Sequence, residues 1–364
     1  LNRLIQRQGV LLGTDATLHT HPPAYVRALA RMADIDLEDY HWILSARGEY
    51  STRKVLFFLT APDQQTPSYI VKMTRDPAFN VRLENEYQAL ATLYARGVGT
   101  PETLPQPLFC GHHADLAIVG ESIIAGEPFA KKTQRNANCP ALQAAIHFLV
   151  TLGTATADST AATPRQAAQA LQILFTRFQA IYQLTPAHAA FLAEQIDQIN
   201  HCAAAFPLVF QHGDPGPWNM LVTPSGQVAV LDWEAAEAQG MPLWDLFYFL
   251  RSYALDIARA GGVNDGLQGF AQQVLADTAL SRLLVETIHD YCQAIGLPAT
   301  VVLPLFYTCW MHRALKEATR LPVNKIDSGR FVNLLRMCID HSNAPTLQRL
   351  GQLPVTQTDL KEFA

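Results

Sequence analysis

The sequence predicts an α+β fold, with a small antiparallel sheet and one helix near the N-terminus and a larger, mainly helical C-terminal part. Five short runs rich in β-branched and aromatic residues lie between residues 41 and 125 and predict the sheet. Helical patterns dominate from Pro140 onward. A separate strand, loop and hairpin pattern occupies residues 209–234. We therefore expect an N-terminal extension (1–40), a sheet region (41–125) and a helical region (126–364).

The extension contains one helical pattern. Val26, Leu29, Ala30 and Ala33 recur at helical spacing after a pair of prolines. The pattern predicts a short amphipathic helix that packs on the sheet region.

The strands of the sheet region are predicted from composition and turn signals. We expect them at residues 41–45, 51–60, 67–73, 108–111 and 116–124. The first ends at Ser45, and the turn after it, residues 46–50, contains a single glycine, Gly48. By its residues alone this is a plain hairpin turn.

Lys72 lies in the third predicted strand, where the residues around it are apolar. The two-residue period of a strand puts Ile70 and Lys72 on the same face. An ammonium group is expensive to bury unless an anion meets it. Lys72 is therefore either a ligand for a negatively charged group or an edge-strand lysine that points to water.

A helix is predicted after Asp76 and Pro77, ending near Gly97. Its apolar stripe consists of Leu83, Tyr87, Leu90 and Tyr94. Glu84 and Glu86 both flank this stripe, on opposite sides. Periodicity therefore leaves either glutamate open as the partner of Lys72.

The C-terminal region is predicted to be mostly helical. The segment that begins near Glu121 reads as the linker into it. Helices are expected at residues 141–154, 165–182, 186–205, 268–295, 300–320 and 328–343.

The strand, loop and hairpin pattern carries the chemistry. An apolar run ends in His212-Gly213-Asp214, and Asn219 stands five residues later. Two short strands joined by Pro-Ser-Gly then lead to Asp232. The outer ends of a hairpin meet, so we expect Asn219 near Asp232. One carboxylate to orient a hydroxyl, with an amide oxygen and a second carboxylate for a hard cation, is what kinase-type phosphoryl transfer requires.

The motif H-G-D-x-x-x-x-N, with a strand and D-W-E after it, resembles the aminoglycoside phosphotransferase and choline kinase family. The members are small-molecule kinases with a protein-kinase-like fold of two lobes. The resemblance implies ATP and Mg²⁺ as cofactors, with Asp214 orienting the acceptor hydroxyl and Asn219 and Asp232 binding the metal. It also implies that Lys72 grips the α- and β-phosphates. Within it, E-x-x-x-L-x-x-L matches Glu86, which we choose over Glu84 as the partner of Lys72.

The same resemblance implies a nucleotide site. The turn after Ser45, with Gly48, would cover the phosphates and offer backbone N–H groups to them. Ile70 would lie against the adenine, and backbone groups between Glu121 and Ile123 would hydrogen-bond its edge.

Further residues receive supporting roles. The family element G-x-P-x-x-D is matched by Gly240, Pro242 and Asp245, and Asp245 is expected to cap a helix and brace the catalytic loop. His212 is expected to brace the loop as well. Glu234 is close enough to Asp232 in sequence to touch metal or substrate, and the sequence does not choose between them.

The segment between Asp232 and Gly240 is too short for a protein-substrate platform, which favours a small acceptor. A sugar, amino-alcohol, nucleoside or antibiotic hydroxyl all remain open. Acidic and basic residues are equally numerous from Asp245 to the C-terminus, so no acidic excess marks a pocket for a polycationic aminoglycoside. The rival hypotheses are a nucleotide-binding scaffold without turnover and a protein kinase.

Composition excludes other classes. A net charge of −5 gives no basic field for nucleic acid, and no apolar run reaches the roughly 18 residues needed to span a bilayer. The N-terminal apolar run is too short for a signal peptide, and the six cysteines are scattered without C-x-x-C spacing. We therefore expect reduced thiols and a cytoplasmic protein; the sequence does not indicate an oligomeric state.

Overall fold

The computed structural model describes residues 21–45 and 54–353. Over these residues the chain divides into two compact units. The first comprises the described part of Leu1–Glu127 together with Leu221–Ala236. The second comprises Pro128–Met220 and the described part of Glu237–Ala364. The hairpin that ends at Asp232 therefore belongs to the same unit as the N-terminal sheet.

The predicted five-stranded antiparallel sheet is confirmed within the described residues. Its strands are β1 (His41–Ser45), β2 (Lys54–Thr60), β3 (Tyr69–Thr74), β4 (Pro107–His113) and β5 (Leu116–Ser122). Their spatial order is β1-β2-β3-β5-β4, and every neighbouring pair is antiparallel. This order puts β3, which carries Lys72, at the centre of the sheet.

A short helix, α1 (Ala24–Arg31), lies where the extension predicted one. Its Val26 and Ala30 are fully buried and share a core with Phe57, Val71 and Phe109 of the sheet. Burial of this apolar face is what holds the helix on the sheet.

A second, longer helix of the first unit is α2 (Asn80–Ala95), preceded by a 3₁₀ turn at Pro77–Phe79. The Asp76 side chain accepts a hydrogen bond from the Ala78 N–H (2.9 Å), the capping that the Asp-Pro pair favours. The chain leaves the helix through Gly97, whose φ of +68° lies in the left-handed region. The buried residues of α2 are Leu83, Glu86, Ala89, Leu90 and Leu93.

From Glu127 onward the described chain is mainly helical. The strands are β6 (Glu127–Pro128), β7 (Val209–Gln211), β8 (Met220–Val222), β9 (Val228–Val230) and β10 (Glu237–Gly240). The helices are α3 (Phe129–Lys132), α4 (Pro140–Thr156), α5 (Pro164–Gln179), α6 (Pro186–Asn200), α7 (Trp244–Ala260), α8 (Gly266–Phe270), α9 (Ala279–Ile295), α10 (Val302–Ala318), α11 (Arg330–Asp340) and α12 (Pro345–Gly351). Among the described residues, no helix is both long enough and apolar enough to cross a bilayer.

One predicted helix, residues 268–295, is divided in the structure. A π-helical turn at Ala271–Leu275 comes after α8, and Ala276 then adopts an extended conformation. Thr278 starts α9 with a capping box, its side chain accepting from the Ser281 N–H at 3.0 Å. Periodicity misses this break because the apolar residues on both sides keep helical spacing.

The hairpin after the catalytic loop is formed by β8 and β9, which join β6 in a three-stranded sheet. Its turn closes with a hydrogen bond from the Gly226 N–H to the Thr223 carbonyl (2.9 Å). Gly226 has a φ of +83°, a conformation that favours glycine. The hairpin delivers Asp232 at the end of β9.

Candidate active site

Lys72 lies between two buried carboxylates of the first unit. Its Nζ is 2.8 Å from Oε1 of Glu86 on α2 and 2.7 Å from Oε2 of Glu121 on β5. Lys72 is 8% exposed, and both glutamates are almost completely buried. Of the two glutamates that periodicity left open, Glu86 is therefore the partner of Lys72. Glu84 instead bonds His112 at 2.8 Å, where both side chains are exposed.

A second lysine extends this cluster. Lys54, the first residue of β2, is 3.0 Å from Glu86, 2.7 Å from Asp232 and 2.9 Å from Glu234. The cluster thus contains four carboxylates and two ammonium groups, and Glu86 is shared by both lysines. Arg82 lies 3.6 Å from Glu234 and adds a third positive charge at the edge of the cluster.

The pKa values of the buried groups depend on how the two lysines and the carboxylates share their contacts. Burial alone would raise the pKa of Glu86, but the charges of Lys54 and Lys72 outweigh it and lower the pKa to about 2. Burial raises the pKa of Glu121 to about 7, because Lys72 offsets only part of the effect. Burial would lower the pKa of Lys72, but Glu121 and Glu86 hold it above its ordinary value. The Lys72–Glu86 pair is therefore charged at neutral pH, whereas Glu121 titrates there.

Asp232 occupies a strained backbone position. Its φ of +65° lies in the left-handed region, which is uncommon for residues other than glycine. Two hydrogen bonds of the next residue hold this conformation: the Trp233 N–H donates to Oε1 of Glu86 (3.2 Å), and the buried Trp233 indole donates to the Val230 carbonyl (3.0 Å). The backbone at Asp232 is thereby tied to the glutamate that binds both lysines.

In the second unit, Asp245 braces the loop after β7. Its carboxylate accepts hydrogen bonds from the N–H groups of His212 (2.6 Å) and Gly213 (3.1 Å). Buried His212 in turn accepts from the Asp214 N–H through Nδ1 (3.1 Å). Both residues have the bracing contacts expected from the sequence, and together they fix the backbone that leads into Asp214. The expectation that Asp245 caps a helix is wrong: the N-cap of α7 is Leu243, and Asp245 lies in the first turn with its carboxylate turned to the loop.

Asp214 is held by an arginine from α10. Arg313 donates to Oδ1 of Asp214 (2.9 Å) and to the Gly213 carbonyl (2.6 Å), and its guanidinium lies 3.4 Å from the centre of the Tyr248 ring. Burial alone would raise the pKa of Asp214, but the charge and hydrogen bond of Arg313 and a hydrogen bond from Tyr248 lower it. Asp214 is therefore ionised at neutral pH, which suits a hydrogen-bond acceptor better than a strong base.

Asn219 is oriented by the same loop. Its Nδ2 donates to the Asp214 carbonyl (3.0 Å), so its amide oxygen is directed elsewhere and can accept. Within residues 21–45 and 54–353, no three His, Cys, Asp or Glu side chains are grouped so as to hold a metal by themselves. An amide oxygen such as that of Asn219 nevertheless suits Mg²⁺, which takes one or two protein ligands together with phosphate oxygens.

A cavity of about 680 Å³ lies in the second unit, with Asp214, Trp218 and Tyr248 in its wall. This volume is in the range of small-molecule sites. Trp218 is 61% exposed and meets Tyr248 edge to face, with ring centroids 6.3 Å apart. The loop that carries Asp214 therefore opens onto space for a small molecule rather than onto a flat surface.

The model of the phosphotransferase enzyme family (APH) matches residues 42–279, more than half of the chain. The chain belongs to the phosphotransferase enzyme family. The protein-kinase-like fold class predicted from the sequence is thereby confirmed. The match includes the cluster around Lys54 and Lys72 and the loop that carries Asp214, but Arg313 lies beyond its end.

Solved structures similar to this phosphotransferase have low sequence identity. The aminoglycoside phosphotransferase APH(4)-Ia, in a ternary complex with ADP and hygromycin B, is 13% identical over 85% of this chain and 93% of its own, with a TM-score of 0.48. APH(3'')-Id from Streptomyces rimosus, with ADP and streptomycin, is 15% identical over 79% and 93%, with a TM-score of 0.44. Choline kinase LicA from Streptococcus pneumoniae is 14% identical over 82% and 93%, with a TM-score of 0.41. A sequence comparison with curated proteins finds no match.

The residues of this phosphotransferase that were predicted to bind the nucleotide differ from one another in their positions and contacts. Gly48 lies outside the described residues, and Ser45 ends β1. Ile70 pairs with Glu121 across β3 and β5. The Ile123 N–H donates to the Ser68 carbonyl (3.0 Å), so this donor is already used within the sheet. Glu121, expected to act through its backbone, instead directs its side chain to Lys72.

Three contributors to the site were not predicted: Lys54, Arg313 and Tyr248. Lys54 begins a strand, where a lysine usually reaches solvent. Arg313 carried a usable signal, because it comes after a run of buried helical residues at positions 309–311 and a buried guanidinium needs a counter-charge. The argument applied to Lys72, that a charge is expensive to bury without a partner, would also have identified Arg313.

Glu121→Gln is expected to change how the stability of this phosphotransferase depends on pH. The pKa of Glu121 rises from 4.5 to about 7 on folding, so the wild type loses stability as the pH rises through this interval. The neutral variant lacks this loss. The unfolding free energy of Glu121→Gln minus that of the wild type should therefore increase by up to about 3 kcal/mol from pH 4.5 to pH 7.

Urea unfolding of the wild type and of Glu121→Gln at half-unit pH intervals measures this shift. The exposed Glu194→Gln on α6 is the control and should give a constant difference across the range. A constant difference for Glu121→Gln as well would show that folding does not raise the pKa of Glu121.

Proposed function

We infer that this chain is an ATP-dependent phosphotransferase that transfers the γ-phosphate to a hydroxyl of a small molecule, such as a sugar, an amino-alcohol or an antibiotic-like compound. One observation carries the inference: the buried lysine of the central strand pairs with Glu86, and Glu86 is joined through Lys54 to Asp232. A lysine held by a glutamate, next to a carboxylate at a strand end, is the arrangement that binds a metal-bound triphosphate in kinases. The family membership supports the same chemistry.

The residues of the first unit receive nucleotide-binding roles. Lys72 binds the α- and β-phosphates, and Glu86 holds it extended for that purpose. Ile70 provides an apolar surface for the adenine; Gly48, expected from the resemblance to lie over the phosphates, is outside the described residues. Glu121 competes with the phosphates for Lys72, a role that differs from the backbone contact expected for Glu121 and Ile123.

Mg²⁺ fits the donor set of Asp232 and Asn219. The observation that favours it is the donor chemistry: the carboxylate of Asp232 and the amide oxygen of Asn219, whose nitrogen is already used, are each the kind of oxygen ligand that a hard cation takes. When bound, the ion neutralises charge on the phosphate oxygens. Glu234, which also contacts Lys54, adds to the negative potential at this point.

Asp214 accepts a hydrogen bond from the acceptor hydroxyl and orients it for in-line attack. Its lowered pKa makes it a weak base, so positioning is its main contribution. Arg313 fixes the carboxylate, while His212 and Asp245 fix the backbone.

A small acceptor is favoured by the chain after Asp232. Those residues form a 3₁₀ turn, Trp233–Ala235, and then β10, which pairs with β7. No length remains there for a loop that would bind a peptide substrate.

The proposal is tested with γ-labelled ATP, Mg²⁺ and pooled hydroxyl compounds that include metabolites, antibiotics and a peptide pool. Transfer to a small molecule, dependent on Mg²⁺, is the expected result. Transfer to peptides alone would indicate a protein kinase. Thermal stabilisation by ATP with no transfer to any pool would indicate a nucleotide-binding scaffold instead.

A further inference from the structure

Arg251 is a buried charge in the wall of the 680 Å³ cavity that contains Asp214. It is only 9% exposed, and its Nε is buried without a hydrogen-bond partner. No carboxylate of the described residues lies within ion-pair distance of its guanidinium, which stacks 5.0 Å from the centre of the Phe331 ring. Burial lowers the pKa of Arg251 to about 10, so Arg251 remains charged at neutral pH. A buried cation without a counter-charge is unfavourable unless a ligand supplies one.

The carboxylates around the cavity are committed to other groups. Asp214 is paired with Arg313, and Asp256 with Arg259 at 3.1 Å. Asp265 caps α8 by accepting from the Gln268 N–H (2.7 Å).

Glu317, the carboxylate with the largest effect on the pKa of Arg251, is also occupied. Its two oxygens accept from Arg330 Nε (2.8 Å) and from the Phe331 N–H (3.0 Å). Arg320, also in the cavity wall, has no ion-pair partner among the described residues. The cavity therefore has an uncompensated positive charge, centred on Arg251.

Arg251 lies in the wall of the same cavity as Asp214, the residue assigned to orient the acceptor hydroxyl. Tyr248, which lines the cavity with Asp214, is three residues earlier on α7, so the side chains of Tyr248 and Arg251 lie on one face of the helix about one turn apart. Trp218, in the same wall, exposes an indole that can cover the apolar face of a ring. A compact molecule can thus reach Asp214 and Arg251 together.

We propose that the acceptor is a hydroxylated small molecule that also carries an anionic group, a carboxylate or a phosphate ester, bound by Arg251. The proposal rests on the proposed function, because it assigns this cavity to the acceptor. An acidic sugar has the required parts: a hydroxyl for Asp214, a ring face for Trp218 and an anion for the guanidinium. A polycationic aminoglycoside has the opposite charge.

Matched probes test the proposal without knowledge of the natural acceptor. D-Glucuronate, D-glucose 6-phosphate, D-glucose and D-glucosamine share a ring and differ in charge. Calorimetric titration of each into the full chain, without ATP, should give about 10- to 100-fold tighter binding for an anionic probe than for the neutral or cationic ones. The preferred anion distinguishes a carboxylate from a phosphate ester. Inorganic sulfate is titrated as an anion without a ring.

Arg251→Met keeps most of the apolar volume and should remove this preference. Arg251→Lys keeps the charge but loses the planar fork, and should retain part of it. Arg259→Met is the matched control, since this arginine lines the same cavity but is paired with Asp256; it should change anion affinity by less than about threefold. Thermal unfolding establishes whether each variant is folded. If Arg251→Met does not fold, the anion affinity of Arg251→Lys decides the result.

The outcomes separate this proposal from the proposed function. Anion binding that depends on Arg251, with no phosphate transfer to any hydroxyl, would support the anion site and refute the phosphotransferase activity. Phosphate transfer to neutral or cationic acceptors that Arg251→Met leaves unchanged would support the phosphotransferase activity and refute the anion site. The anion site is also overturned if sulfate and both acidic sugars bind no better than glucose.

Discussion

Replacing Asp214 by asparagine is expected to lower turnover by at least about 10²-fold while leaving nucleotide affinity within about twofold. Asparagine has the same shape and keeps an oxygen that can accept from Arg313. It loses the charge and the second oxygen that accept the hydrogen bond of the acceptor hydroxyl. Asp214 is in the second unit, whereas the residues assigned to the nucleotide phosphates are in the first. The substitution should therefore lower kcat rather than weaken nucleotide binding.

Release of ADP under saturating ATP measures turnover, and calorimetry without acceptor measures nucleotide affinity. The matched control is Asp256→Asn, an aspartate in the same cavity wall that is already paired with Arg259. It should change kcat by no more than a few-fold. A fully active Asp214→Asn variant would remove Asp214 from its assigned role.

Replacing Lys72 by methionine should have the largest effect on stability. It leaves Glu121 without its ammonium partner, whereas Glu86 keeps Lys54. Loss of one partner of a buried pair typically reduces stability by about 3–5 kcal/mol. The loss should be greater at pH 8 than at pH 6. The pKa of Glu121 is about 7 beside Lys72 and rises further without it, so only above pH 7 does the variant keep a proton that the wild type has released.

The double variant Lys72→Met with Glu121→Gln separates stability from binding. It removes the unpaired acid and should recover most of the stability lost in the single variant. It should still bind ATP at least about tenfold more weakly than Glu121→Gln alone, because the ammonium group is absent. Urea unfolding and calorimetry measure the two effects. Unchanged ATP affinity in the folded double variant would refute the phosphate-binding role of Lys72.

The sequence predicts the parts of this site that depend on local pattern. Strand composition locates Lys72 in an apolar environment, and the spacing of His212, Asp214 and Asn219 identifies the loop. The choice between Glu84 and Glu86 needed the family resemblance, because both flank the same stripe of α2. The structure then distinguishes them by burial.

What could not be predicted depends on pairing across long stretches of chain. Lys54 and Asp232 are 178 residues apart, and Arg313 and Asp214 are 99 apart. No periodicity relates such positions, so the partners of a buried charge are known only once the chain has folded. The uncompensated state of Arg251 is of the same kind, because it depends on where every neighbouring carboxylate is engaged.

The first unit has a consequence for how this enzyme can be divided or recombined. Its sheet comes from the chain before Pro128, but the carboxylates of Asp232 and Glu234 arrive on an insertion encoded almost a hundred residues later. A gene fragment that stops at Glu127 therefore yields Lys54 and Lys72 with only part of their counter-charge. Neither half can be cut out as one continuous stretch of coding sequence, so transplantation into a related enzyme has to carry two separate segments together.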